Sequence, residues 1–89
     1  MNSFTLPKIN LNGTSAKSLF NEYNEALAAV KAADRFIRDC TFHGRDFQCN
    51  DSGDYVQAQF ERAEVLAKLD DIMDYCTSWM DNANEALEL

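Results

Sequence analysis

The chain has one proline, Pro7, and its three glycines fall at positions 13, 44 and 53. Helix interiors reject proline and disfavour glycine. The sequence between and beyond those positions is therefore free to form long uninterrupted helices. We expect an all-α fold: an antiparallel helical hairpin with an extended N-terminal arm at 1–13 and a hairpin domain at 14–89. The first helix spans about 15–40, a loop 41–53, and the second helix about 54–87. Thr14 or Ser15 can cap the first helix, and Asn12-Gly13 marks a turn before it. Phe4 and Leu6, then Ile9 and Leu11, alternate on either side of Pro7, which suits an extended arm. Gly44, Gly53 and Cys49-Asn50-Asp51-Ser52 supply turn chemistry for the loop.

The first helix has two distinct faces. Leu19, Ala26, Val30, Ala33, Ile37 and Cys40 form the expected core face. Lys31, Arg35 and Arg38, spaced i, i+4 and i+7, fall within about 60° of arc. They form a cationic stripe away from that face, with Phe20, Tyr23 and Leu27 as neighbours. The second helix carries Tyr55, Ala58, Val65, Leu66, Leu69, Ile72, Met73, Cys76, Met80, Ala83 and Leu87 over roughly 140°, with Trp79 at the edge. Arg62 lies inside that arc, where an isolated cation is costly and must find a partner or a ligand. Phe20, Tyr23 and Leu27, with Phe60 and Tyr75, leave apolar surface for self-association.

Charge is unevenly spread. The formal net charge is −7, yet residues 1–50 carry six basic and five acidic side chains, whereas residues 51–89 carry two and ten. General binding to a polynucleotide needs many phosphates neutralised and is not expected. A small anionic ligand held by a few placed cations fits better. Arginine presents a planar fork of donors matching phosphate oxygens, and a base can stack on an aromatic ring. The alternative is a solvated face in which intrahelical pairs such as Asp34 with Arg38 and Lys31 with Asp34 use these charges.

Other chemistry finds less support. His43 is the only histidine and stands beside Cys40 and Cys49, but Cys40 lies on the expected apolar face, where free cysteine behaves as a small hydrophobe. Cys40, His43, Cys49 and Cys76 lack the paired spacings of a structural zinc site. Of Asp70, Asp71 and Asp74, only the first and last share a helical face. No catalytic residue, metal or cofactor is expected. The odd number of cysteines, the lack of a signal-peptide pattern and the lack of a bilayer-spanning apolar run point to a cytoplasmic protein without a membrane partner.

The run Ala63-Glu64-Val65-Leu66-Ala67-Lys68-Leu69-Asp70-Asp71-Ile72-Met73 resembles the second helix of small phage helical-hairpin proteins. Tyr23, followed by an alanine-rich amphipathic run and basic residues, is similar to their first helix. These are the hairpin domains of anti-CBASS and anti-Thoeris cyclic-nucleotide sponges. The resemblance implies a homo-oligomer, often a hexamer, that sequesters cyclic di- or trinucleotide messengers of bacterial immunity without hydrolysing them. It implies that Tyr23 stacks on a base or closes over the ring between protomers, and that Arg38, or else Lys31 or Arg35, meets the phosphates; Phe20 is a further ring for a base by its position alone. Arg62 is the only match to a second pocket, and Ala63 beside it offers no hydroxyl. The cytoplasm would then be that of an infected bacterial host. The rival reading is a small acidic inhibitor of a host enzyme whose second helix imitates nucleic acid.

Overall fold

The computed structural model describes residues 3–87. The expected arm and hairpin therefore extend beyond it at 1–2 and 88–89. Two long helices pack against each other as a hairpin, α1 (Ala16–Asp39) and α2 (Asp54–Leu87), and the described residues contain no strand. No described helix is long and apolar enough to cross a membrane.

Each boundary has a local cause. Ser15 takes an extended backbone, and its hydroxyl oxygen accepts the Ser18 N–H at 3.1 Å, satisfying one of the free donors of the first turn. Ahead of it, the Asn10 side chain accepts the Asn12 N–H at 3.0 Å and the Asn10 carbonyl accepts the Gly13 N–H at 3.2 Å, which turns the chain into α1. α1 ends without a glycine. Cys40 is extended, and the Arg62 guanidinium donates to the carbonyl oxygens of Arg38 at 3.0 Å and Ile37 at 3.5 Å. A cation supplied from the other helix thus satisfies the last carbonyls of α1 and the negative end of its dipole.

The connection folds back on itself. A short 3-10 turn, Gly44–Phe47, places Phe42 and Phe47 against Tyr55, with ring centroids 5.5–6.0 Å apart. Gly44 lies flat on the Tyr55 ring: a Cβ there would sit 3.3 Å from a ring carbon. Gly53 has φ +98°, a left-handed conformation that L side chains resist, and it turns the chain into α2.

The inward face of α1 is rotated from the expected one. Phe20, Tyr23, Leu27, Val30, Asp34 and Ile37, spaced alternately three and four residues, are partly covered, whereas Ala26, Ala33 and Cys40 are exposed. The reason lies across the hairpin. Tyr23 stacks on Trp79 with centroids 4.6 Å apart and planes 11° apart. Two aromatic rings offer far more contact area than two alanines, so the rings set the rotation. On α2 the inward row is Tyr55, Ala58, Arg62, Leu66, Leu69, Met73, Cys76, Met80 and Ala83, whereas Val65, Ile72 and Leu87 are exposed. The N-terminal segment packs on the open end. Phe4 meets Tyr75 edge-on at 5.0 Å, and Asn82 donates to the Pro7 carbonyl at 2.8 Å.

Candidate functional site

Lys31, Arg35 and Arg38 all lie exposed on one side of α1, about 90° from the row that faces α2. They differ in their surroundings. Arg38 Nε donates to Asp34 Oδ2 at 3.0 Å, an i, i+4 pair. That hydrogen bond and the Asp34 charge raise the Arg38 pKa, and Asp70 of α2 adds to the effect. Nε alone is engaged with Asp34, so the outward donors of the guanidinium fork remain available to an anion. The Asp34 Oδ1 is buried without a hydrogen-bond partner among the described residues. Arg35 lies over the Phe36 ring, 5.0 Å from its centroid. Lys31 and Arg35 form no ion pair among the described residues.

The rings expected beside these cations are not both there. Tyr23 faces α2, whereas Phe20 is partly covered and lies about five turns before Arg38 on the same line of the helix. Tyr23 sits among Trp79 and Tyr75, and burial pushes its hydroxyl pKa above the ordinary value, with Tyr75 contributing further. In the single chain one face of Tyr23 is already occupied by the indole of Trp79. A base stacked on that face would need the pair to open.

Arg62 is also placed by the fold. Its guanidinium caps α1 and lies over the Phe42 ring at 5.2 Å. Its position within the apolar arc signalled a need for a partner, and that partner is the carbonyl end of the other helix. A shallow cleft of about 270 Å³ opens beside it, lined by Phe42, Gln59, Ala63 and Leu66. A second cleft, about 260 Å³, lies under Pro7–Asn10 against Leu19 and Trp79. The Trp79 indole N–H is buried without a hydrogen-bond partner among the described residues.

The fold thus separates the six candidate residues: Lys31, Arg35 and Arg38 on one exposed side with Phe20 in line several turns earlier, Tyr23 between the helices, and Arg62 at the loop end. Sequence reasoning gave Asp34 as an intrahelical partner of Arg38 but missed its inward position, and it missed the ring contacts of Trp79. The 3-4 spacing of Asp34 from Val30 and Ile37 could have placed it in the inward row. Trp79 lies seven residues after Ile72 and gave no sign of its ring partner. Cys76 is buried and Cys40 and Cys49 are exposed, and no cluster of three potential metal-ligating side chains exists among the described residues. No protein-family model, no curated protein and no solved structure matches the chain.

Proposed function

We propose that the chain acts by non-catalytic binding. It assembles as a homo-oligomer and sequesters a cyclic oligonucleotide messenger, the anti-phage immune evasion that its resemblance to hairpin sponges implies. The observation that carries this reading is the exposed cationic side of α1. Lys31 and Arg35 lack ion pairs among the described residues, and Arg38 is held charged beside them. A ring of two phosphodiesters needs two or more such contacts, and a symmetric assembly supplies each stripe more than once. Tyr23 holds α1 against α2, Phe20 lies in line with Arg38 several turns earlier, and Arg62 holds the end of the helix. The N-terminal segment acts as an arm across the open end.

The test is thermal or calorimetric titration with a panel of cyclic di- and trinucleotides. A specific ligand at a hundred times its dissociation constant stabilises the protein by about 2.7 kcal/mol. The double variant Lys31→Ala, Arg35→Ala should lose that response while keeping its helix content. No response to any panel member would overturn the ligand assignment.

One observation favours a second reading. Asp70, Asp74 and Asp81 are all exposed on α2. Asp70 and Asp74 are one turn apart, and Asp81 recurs seven residues later, so the three share a side of the helix. An acidic inhibitor would lose its hold on a host enzyme when these three become asparagine and would ignore Lys31→Ala, Arg35→Ala.

A further inference from the structure

The hairpin leaves one apolar side half covered by its own chain. Leu19 and Trp79 line the same cleft under residues 7–10. Steps of seven residues return to nearly the same side of a helix, drifting about 20°. From Leu19 the row climbs through Ala26 and Ala33 to Cys40, and from Trp79 through Ile72 to Val65. Both rows therefore run up the side that the N-terminal segment covers lower down. Above Phe4 that side is open: Val65 and Ile72 are 45% and 46% exposed, and Phe36, flanking the row, is 63% exposed.

We infer that a second copy of the chain docks on this side, antiparallel, with its twofold axis passing near Ala33 and Val65. The inference rests on the self-association proposed above and names its surface. Arg62 meets the Ile37 carbonyl, and Tyr23 lies against Tyr75 and Trp79. Ala33 is thus level with about residue 66 of α2, close to Val65. Two features are self-complementary about that level. On α1, Phe36 lies three residues after Ala33 and Ala29 four before it, so each Phe36 falls opposite the partner's Ala29, large against small. On α2, Lys68 lies three residues after Val65 and Glu61 four before it, so each Glu61 falls opposite the partner's Lys68. Glu61 and Lys68 are both exposed, and Glu61 accepts a hydrogen bond from the Gln57 side chain. A twofold axis running along the helices would instead set each α1 on the partner's α2 and lose both pairings. The 3-4 spacing of small residues suits a helix, which can approach to about 8 Å, and not an extended peptide.

From Ala26 to Cys40 the helix rises about 21 Å, and the molecule is about 22 Å across. Two such projected faces give roughly 900 Å² before side-chain relief is counted, the scale of a weak interface and below the roughly 1,200–2,000 Å² of a stable one.

Sedimentation and charge exchange test this on the full chain. The wild type should sediment as a dimer or a larger even assembly. Ala33→Glu should lose that assembly, and so should Lys68→Glu in part, with Glu61→Lys added to Lys68→Glu restoring it. With Cys40 and Cys49 replaced by serine, Ala33→Cys should form a disulfide dimer on mild oxidation. In the parent chain Cys40 should not, because antiparallel pairing holds the two copies' Cys40 residues about 21 Å apart. Assembly that survives Ala33→Glu, or a ready Cys40 dimer with an inert Ala33→Cys, overturns the interface and leaves self-association standing. A monomeric wild type overturns both.

Discussion

At the scale of single residues, the most consequential side chain is Arg62. A cation inside an apolar row normally destabilises a helix packing face. Here it replaces the glycine that would usually end α1, donating across the hairpin to the Arg38 and Ile37 carbonyls. Together with Cys40, whose N–H donates to the Ile37 carbonyl, it closes the end of α1 and ties that point to α2. Arg62→Met keeps much of the stem and its packing on Phe42 but removes the donors. We expect urea denaturation to show a loss of about 1–3 kcal/mol, the usual scale for hydrogen bonds from a charged group. Amide exchange should also quicken in the last turn of α1. Unchanged stability would mean that water caps the helix equally well.

At the scale of elements, the two helices are held differently at their two ends. The loop end is closed by Phe42, Phe47 and Tyr55 together with Arg62. The open end depends on the N-terminal segment, whose Phe4 and Pro7 extend the aromatic cluster of Tyr23, Tyr75 and Trp79. Asn82 donates the hydrogen bond that anchors this segment, from a partly buried position. Asn82→Ala should cost about 1 kcal/mol and shift Trp79 emission to the red as the cleft above the indole opens to water. Emission that does not move would show that ring packing alone holds the segment. The helices, their capping serine and the glycine-bearing loop were legible in the sequence because each is set by neighbours within a few residues. The rotation of α1 was not. Ala26, Ala29, Ala33, Phe36 and Cys40 repeat at the same 3-4 spacing as Phe20, Tyr23, Leu27, Val30, Asp34 and Ile37. Alanine suits an open surface and a close helix contact equally, so period alone could not rank the two rows. Period alone therefore leaves Tyr23 off the row that meets α2.

At the scale of the whole molecule, the dominant fact is how little one copy buries. Ala16, Leu66, Cys76 and Ala83 are the buried hydrophobic residues among those described, whereas Phe36, Phe60, Val65 and Ile72 are substantially exposed. The radius of gyration is 18.7 Å and the longest extent 61 Å, against about 12 Å expected for a compact domain of this length. A two-helix layer has one shared face, and a thin core contributes little against the entropy of ordering the chain. Under the proposed self-association, the melting temperature should rise with protein concentration. For a dimer that unfolds as it dissociates, each hundredfold increase adds about 2.7 kcal/mol of apparent stability. A melting temperature independent of concentration, together with a monomeric mass, would show that the hairpin stands alone. The sequence by itself determined the two helices, the turn between them and the uneven charge, because these follow from local backbone preferences and composition. Only the tertiary structure decided which row of α1 faces α2, what Arg62 is for and where Phe20 and Tyr23 lie. Those outcomes depend on contacts between residues dozens of positions apart, and two rows of equal period differ only in the partner each one meets.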